Sequence, residues 1–482
     1  MGAELTYSKQ AADHTSPADC GGLHSDMEAS AADTVRIVSR RMVRPEYGAM
    51  PMPPADDIHL TPWDLIAISF KYMQTGILVP KPPAGGERSL VDSLVSSLAR
   101  ALGRHYHLAG RLAVVDHGDG TVSIPLRCTG EGAELVHAVA PGVSVAEVVG
   151  TLQYTPSSVV RAFFPLKGVY GADIVVDPSL PVVGAQVTEL ADGVFIAMSM
   201  NHAVGDGSCL WELFSTWSAI NRGEELTVAP APANRRWFIE TSPVPIYLPF
   251  SALQDLVVGR LETPLVGYGF FTFSASSVRK LKAQARDEMP EGNISSLQAL
   301  VAHLWRAVVR ARSLVPGQET SCDVIVGCRG RMRGIPAGYG GNAVVPRRTP
   351  RCTVGEILDK GLGWTAWQLK RAVESFEEEE VRGWLDRWAR EPVFMSPSAY
   401  QGDGALVIAG SPLFDFFLND FGWGKPVGLR GCPGEKADGI VSVRKGPGQQ
   451  GSISLEVTLV PETMERLVAD HEFMEAVAVP PA

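Results

Sequence analysis

The sequence predicts a two-domain protein of mixed α/β (α+β) class. Its 482 residues exceed the usual size of a single domain, so two domains of roughly 200 residues each are expected. Strand-like and helix-like runs alternate in both halves of the chain. Between the halves, residues 224–249 contain five prolines and show no clear hydrophobic period, which is typical of an interdomain linker. We therefore expect two mixed layers that face each other.

Composition and periodicity set the predicted domain boundaries. Residues 1–33 are rich in small and polar residues without periodicity, and we interpret them as a mobile tail. The N-terminal domain is assigned to residues 34–223, the linker to residues 224–249 and the C-terminal domain to residues 250–482.

Hydrophobic spacing predicts the main elements within these domains. Runs of β-branched and apolar residues indicate strands, and apolar residues that recur every three or four positions indicate amphipathic helices. Ser295 or Ser296 is suited to cap the last but one of the helices listed below. The expected strands are Thr34–Val43, Ala185–Leu190 and Gly193–Met200, and the expected helices are Ser89–Leu102, Ser208–Asn221, Ser295–Arg312 and Pro461–Asp470.

Composition and charge exclude several classes of function. The apolar fraction of 45% and the charged fraction of 20% are those of a globular protein. A formal net charge of −10 argues against broad binding to nucleic acid or anionic membranes, which needs a basic surface. Seven scattered cysteines without a C-x-x-C pair indicate a reduced protein, not a disulfide framework or zinc site.

The targeting signals that the sequence lacks lead us to expect a cytoplasmic protein. The N-terminus does not have the layout of a signal peptide, and no uninterrupted apolar run is long enough to span a bilayer. Met1–Thr6 matches the loose pattern for N-myristoylation, a short pattern that often occurs by chance.

The feature most suited to chemistry is a histidine that follows an apolar strand. The strand Val194–Met200 is apolar on both faces and should run through the interior. It leads to His202, and two glycines flank Asp206 and permit a tight turn before the next helix. Imidazole accepts protons near neutral pH, so His202 is a candidate general base for transfer of an acyl group to an alcohol or amine.

This H-x-x-x-D pattern has other interpretations when it is taken alone. A structural histidine is the commonest of them. A metal site is another, but no third ligand lies at a suitable spacing nearby, so we expect no bound metal. His105, His107 and His303 lie in or beside helical patterns, where packing is the default role.

A second motif, Asn419–Pro426, contains Asp-Phe-Gly-Trp-Gly and identifies a family. Together with the histidine motif, the chain resembles the plant BAHD acyltransferases. The resemblance covers nearly the whole chain beyond the first ~33 residues. Besides the two motifs, several short segments resemble the family and occur in the same order along the chain. These segments are His59–Leu65, Leu108–Leu112, Ile294–Ala299, Gly340–Ala343 and Ser452–Val457.

The resemblance implies the fold and the roles of the central residues. Two chloramphenicol-acetyltransferase-like domains should enclose a solvent channel, with acyl-CoA entering from one face and the acceptor from the other. His202 is then the base, midway along the channel. Asp206 is structural and points toward an arginine, for which Arg329 is the match and Arg331 the fallback.

The resemblance also implies roles for the second motif and for two groups of binding residues. The motif should shape the C-terminal domain away from the reacting atoms, through Asp420, Gly422, Trp423 and Gly424. Ser411 follows a strand that lines the channel in relatives and is a candidate donor to the oxyanion. Coenzyme A needs cations for its phosphates, and the candidates are Lys280, Lys282 and Arg347.

The sequence thus predicts a monomeric acyltransferase without a resident cofactor. It moves an acyl group from an acyl-CoA thioester to a hydroxyl or amine of a small molecule, in a ternary complex. A lyase or condensation activity on the same fold is the alternative, although Asn201 stands where condensation domains carry a second histidine. A catalytically silent binding protein is a third reading, which the retention of His202 disfavours.

Overall fold

A computed structural model describes most of the chain. It covers residues 34–48, 56–82, 89–149, 158–226, 236, 244–258, 265–336, 338–394, 404–448 and 450–478. The predicted tail, residues 1–33, and most of the predicted linker lie outside the described residues.

Two six-stranded sheets organise the described residues. Their strands, in chain order, are β1 Arg36–Val43, β2 Met73–Pro80, β3 Ala133–Ala140, β4 Val183–Leu190, β5 Gly193–Met200, β6 Gly267–Phe273, β7 Cys322–Gly327, β8 Val344–Arg348, β9 Leu406–Gly410, β10 Gly428–Gly431, β11 Ile440–Lys445 and β12 Ile453–Leu459.

Both sheets are mixed. The N-terminal sheet has the order β1-β3-β4-β5-β2-β10, in which β3 and β4 run parallel and all other neighbours antiparallel. The C-terminal sheet has the order β6-β12-β11-β9-β7-β8, with parallel pairing where β9 meets β11 and β7. The α/β class and the two layers predicted from the sequence are confirmed.

Helices cover one face of the C-terminal sheet and both faces of the N-terminal sheet. They are α1 Pro62–Ile66, α2 Leu90–Arg104, α3 Val145–Val149, α4 Ser158–Arg161, α5 Gly207–Asn221, α6 Phe250–Val258, α7 Ala275–Glu288, α8 Ser296–Ala311, α9 Val354–Asp359, α10 Gly361–Glu374, α11 Glu378–Arg390, α12 Pro461–Ala469 and α13 His471–Ala476. Short strands form three small sheets: Ile58–His59, Arg111–Leu112 and Pro125–Arg127; Val115–Asp116, Thr121–Ser123 and Leu248–Pro249; and Glu319–Thr320 with Cys352–Thr353.

Local sequence signals account for where the long helices begin. The Ser89 side chain accepts from the Asp92 amide at the start of α2. At α8, Ser295 and Gln298 form a reciprocal capping box, which satisfies two amides that have no partner within the helix. The apolar stripe of each helix then packs on its sheet, so the predicted helices are confirmed to within two residues at each end.

The division into two domains differs from the predicted boundary at residue 250. Leu253, on α6, is fully buried in the hydrophobic core of the N-terminal sheet. Strand β10 comes from the C-terminal half of the chain but pairs with β2, where it supplies partners for the backbone groups on that edge. Apolar burial and strand pairing therefore place residues 250–258 and 428–431 with the N-terminal unit.

The Asp-Phe-Gly-Trp-Gly motif, which was predicted to shape the C-terminal domain, packs its aromatic residues against the core of the N-terminal sheet. Phe421 is 1% exposed, and its ring lies edge-on to Trp217 with the centroids 5.2 Å apart. The Asn221 side-chain amide donates to the carbonyl of Phe421 at 2.7 Å. Because Phe421 needs an apolar pocket and α5 offers one, the motif secures the C-terminal end of α5.

Glycines are required inside this motif by its backbone. The Asp420 carboxylate accepts from the amides of Gly422 at 2.7 Å and Gly424 at 3.0 Å, which folds the chain into a tight loop. Gly422 has a φ of 99° and Gly424 a φ of 112°, a region that residues with a Cβ rarely adopt. The half-buried Trp423 packs against the same core and stacks on Phe421 at 6.0 Å.

We predict that Phe421→Ala lowers the free energy of unfolding by about 3–5 kcal/mol, because it leaves a cavity against α5. Thermal and urea unfolding of the purified protein measure the effect. Lys425→Ala, at an exposed position four residues on, is the matched control and should leave stability unchanged. Equal stability of Phe421→Ala and the control would contradict the proposed anchoring.

Candidate active site

A fully buried central strand places His202. All eight residues of β5 are buried between β4 and β2, and the chain then leaves the sheet at Asn201. The Asn201 side chain accepts from the amide of Ala203 at 2.9 Å and so caps the short turn His202–Val204. The histidine is thus fixed just beyond the C-terminal end of a central strand.

The surroundings of the His202 ring favour its neutral form. The ring centroid lies 5.9 Å from that of Phe70, and Nδ1 is buried. Burial lowers the pKa of His202 below the usual imidazole value, whereas its own carbonyl, Asp206 and Asn342 act in the opposite direction. A neutral imidazole is the form that accepts a proton.

Asp206 binds three separate segments together. One carboxylate oxygen accepts from the amide of Ser208 at 3.0 Å and caps α5. The other accepts from Arg329 Nη1 at 2.5 Å and from the amide of Ala343 at 3.1 Å. The structure therefore brings the two residues of the predicted pair together.

Arg329 completes this junction from the C-terminal half. Besides Asp206, its guanidinium donates to the carbonyls of Tyr339 at 2.8 Å and Gly341 at 2.7 Å. The Arg331 guanidinium instead lies over the ring of Phe376, 5.9 Å from its centroid.

A second buried carboxylate, Asp64, was not predicted from the sequence as part of the site. Its side chain is fully buried at the start of α1, where one oxygen accepts from the Thr61 hydroxyl at 2.8 Å. The other oxygen accepts from both the backbone and the side-chain amide of Asn342, each at 2.9 Å. Asn342 also donates to the carbonyl of His202 at 2.8 Å, so Asp64 acts on the histidine through Asn342.

Arg236 supplies the positive charge that balances Asp64. Its Nε lies 3.7 Å from an Asp64 oxygen, and both side chains are fully buried. Its Nη2 donates to the carbonyl of Val204 at 3.2 Å, two residues after the histidine. The turn that carries His202 is thus held by Asn342 on one side and by Arg236 on the other.

A local signal for Asp64 does exist in the sequence. Thr61-Pro62-x-Asp64 is a capping-box pattern with proline at the first helical position, which predicts the start of a helix. It gives no indication that Asn342 occupies the second oxygen of the carboxylate.

The remaining predicted binding residues lie apart from this network. Ser411 follows β9, and its hydroxyl accepts from the amide of Leu413 at 3.1 Å. On α7, Lys280 is exposed and Lys282 half-buried. Arg347, on β8, pairs with Glu380 at 3.2 Å, and its Nε and Nη2 have no hydrogen-bond partner among the described residues. No contact described here tests their predicted roles.

His105, His107 and His303, for which packing was the predicted role, are packed inside the protein. Burial lowers the pKa of His105 to about 4 and that of His107 well below the imidazole value. His303 is buried against Phe473, with the ring centroids 5.7 Å apart. These three histidines occupy interior positions on α8 and at the end of α2.

Membrane-spanning helices and groups of metal ligands are both absent from the described residues. None of the described helices is long and apolar enough to cross a membrane. Within the same part of the chain, no group of three or more His, Cys, Asp or Glu side chains is arranged to hold a metal ion.

Comparison with known proteins gives a family match over almost the whole chain. The sequence model of the Transferase family matches residues 34–474. The chain is 33% identical over 447 residues to an uncharacterized acetyltransferase of Arabidopsis thaliana, a match that covers 92% of this chain and 99% of the relative. It is 28% identical to the BAHD acyltransferase DCR of the same plant, over 91% of this chain and 92% of the relative.

The fold is also found among solved structures. TRI101 of F. graminearum, complexed with coenzyme A and T-2 mycotoxin, is similar with a TM-score of 0.69 at 18% identity. The match covers 88% of this chain and 99% of TRI101. At this identity the likeness shows the fold alone.

We predict that Arg329→Ala lowers the free energy of unfolding by about 3–5 kcal/mol, because it leaves the Asp206 carboxylate buried without a counter-charge. Chemical denaturation measures the effect. Arg331→Ala removes the same charge two residues away at an exposed position, and it serves as the control. If both variants lose the same stability, the buried pair does not have the role assigned to it.

Proposed function

The chain belongs to the Transferase family, that of the BAHD acyltransferases, and from this premise we propose that His202 is the general base of its reaction. The enzyme transfers an acyl group from an acyl-CoA thioester to a hydroxyl or amine. The observation that carries the assignment of the base is the position of His202 at the end of a buried strand, in a turn held by Asn342 and Arg236.

In the proposed mechanism, acyl-CoA and the acceptor bind together between the two sheets. Because Nδ1 of His202 is buried, Nε2 is the nitrogen that takes the proton from the acceptor. The acceptor oxygen or nitrogen attacks the thioester carbonyl and forms a tetrahedral intermediate. Collapse of this intermediate breaks the carbon–sulfur bond, and the departing thiolate receives the proton from His202 as free coenzyme A.

Asp206 and Asp64 are positioning residues in this proposal. Asp206 fixes the start of α5 after the catalytic turn, and Asp64 fixes the turn through Asn342. Asn201 is occupied in capping the turn and offers no second titratable group, which favours direct acyl transfer over a condensation mechanism.

We assign the oxyanion contact to Ser411 and the coenzyme A phosphates to Lys280, Lys282 and Arg347. The exposure of Lys280 on α7 supports its place in this set. The proposed enzyme is a cytoplasmic monomer that acts on a small-molecule acceptor and needs no resident cofactor.

We predict that His202→Ala reduces kcat by about 10²- to 10⁴-fold, the usual contribution of a general base. Release of free thiol from a panel of acetyl, malonyl, aromatic and long-chain acyl-CoAs, with alcohol and amine acceptors, measures the transfer. Since burial lowers the pKa of His202, activity should be flat near neutral pH and should fall only as the pH drops below about 6.5. Full transfer by His202→Ala would end this mechanism.

We predict that Asn342→Ala reduces kcat by roughly tenfold to a hundredfold with a smaller change in KM, because the histidine turn loses its bond to Asn342 and the ring shifts. The acid limb of the pH–rate profile should move as well, since the surroundings of His202 change. Gln284→Ala, which removes an exposed side-chain amide on α7, is the matched control. An unchanged kcat and pH profile in Asn342→Ala would show that Asn342 does not position the base.

A further inference from the structure

The two faces of the C-terminal sheet differ in polarity although both are buried. On β12, Leu455 and Val457 point into the core that α7, α8 and α10 complete. The alternate residues Ser454, Glu456 and Thr458 are polar, yet each is at most 1% exposed. Buried polar groups need hydrogen-bond partners within the protein.

Those partners come from both sheets and from the chain between β10 and β11. The amide of Gly431, on β10, donates to Glu456 at 2.5 Å. Tyr268, on β6, donates its hydroxyl hydrogen to the same carboxylate at 2.6 Å. The polar face of the C-terminal sheet therefore meets the N-terminal sheet at Glu456.

Two cations contact this one carboxylate, and a third, Arg430, interacts with it electrostatically without a direct contact. Lys436 Nζ and Arg444 Nη2 lie 3.3 Å and 3.2 Å from Glu456 Oε2. Arg430 is 4% exposed, its guanidinium lies 4.3 Å from the ring centroid of Phe270, and it donates to the backbone carbonyls of Leu429 and Val149. We call Tyr268, Arg430, Lys436, Arg444 and Glu456 the Glu456 cluster.

The Glu456 cluster has an excess of positive charge. Three cations and one carboxylate leave a formal charge of +2, in a chain whose formal net charge is −10. The neighbouring carboxylate of Glu435 is already paired with Arg161 at 2.9 Å and with Lys71 at 3.4 Å. Burying uncompensated charge is costly, so the cluster is suited to receive an anion.

Strand register places the cluster near His202. Thr75, on β2, pairs with Gly431 of β10 on one side and with Met198 of β5 on the other. Two strand spacings, about 10 Å, therefore separate Gly431 from Met198. The histidine follows Met198 by four residues. Strands β5 and β10 run in the same direction, so both sites lie at the same end of these strands.

We propose that the Glu456 cluster is a subsite for an anionic group, a carboxylate or a phosphate, on a substrate whose reacting atoms lie at His202. This inference rests on the proposed function. Lys436, with 22% of its side chain exposed, is the most open of the cations and the point of entry. The anion is either a phosphate of coenzyme A that Lys280, Lys282 and Arg347 do not hold, or a carboxylate on the acyl group or the acceptor.

Removing a cation of the cluster and removing its carboxylate should change the affinity for an anion in opposite directions. Arg444→Gln removes one positive charge, whereas Glu456→Gln removes the only negative charge and keeps the shape of the side chain. An anion should bind roughly fivefold to tenfold more weakly to Arg444→Gln, and several-fold more tightly to Glu456→Gln. Arg351→Gln, at a position with 72% of the side chain exposed, is the matched control.

Affinity is measured from the ligand dependence of the unfolding midpoint, which needs no turnover. The probes are coenzyme A against pantetheine, which lacks the phosphates, and glutarate against its dimethyl ester. If the variants change the affinity for coenzyme A alone, the anion is a phosphate of coenzyme A. If they change the affinity for glutarate alone, the anion is a substrate carboxylate. Lys436→Gln, at the more exposed cation, replaces Arg444→Gln if the latter does not fold.

The proposal is overturned if neither coenzyme A nor glutarate binds differently to these variants than to Arg351→Gln, or if both charge changes weaken binding. Repeating the titrations in His202→Ala keeps the two hypotheses apart. If His202→Ala binds the anion as before and still transfers the acyl group at the full rate, the assignment of His202 as the base is wrong. The anion subsite at the Glu456 cluster is then still supported.

Discussion

The burial of Asp206 is the constraint on which the site depends. A carboxylate that is 2% exposed must find its partners within the protein, and here two of the three come from positions distant along the chain. Ser208 lies beside it, Arg329 follows β7 and Ala343 precedes β8. The two sheets cannot move apart at this point without exposing or unpairing that charge. The geometry around His202 is therefore tied to the docking of the two halves.

Asp64 is a second buried carboxylate, and its partners bond to the backbone of the same turn. Its partners, Asn342 and Arg236, reach the carbonyls of His202 and Val204, so the backbone of the catalytic turn is held from both ends. Neither carboxylate accepts a hydrogen bond from the imidazole. Charge is used to fix the backbone, and the ring is left in surroundings that keep it neutral. A base of this kind does not need a carboxylate partner to be effective near neutral pH.

Local sequence patterns predicted what depends on local physics. The apolar spacing of α2, the cap of α8 and the apolar run of β5 place those elements within two residues, because helix ends and strand burial are decided by neighbouring residues. His202 and Asp206 were identified from a motif and Arg329 from a family resemblance. Asp64 and Asn342, which are 278 residues apart, carry no pattern that reports their contact. For the same reason the sequence did not reveal that β10 pairs with β2, nor that Phe421 fills a pocket on α5.

Strand β10 has a consequence for the order of events during synthesis. The N-terminal sheet acquires its first five strands by residue 200, but its sixth strand begins at residue 428. At translation rates of about 5–20 residues per second, the edge of β2 waits on the order of ten to forty seconds for its partner. During that interval an unpaired edge and the empty pocket for Phe421 are open to other chains. The nascent N-terminal half thus leaves the ribosome incomplete, and its correct folding depends on protection until the last quarter of the protein has been made.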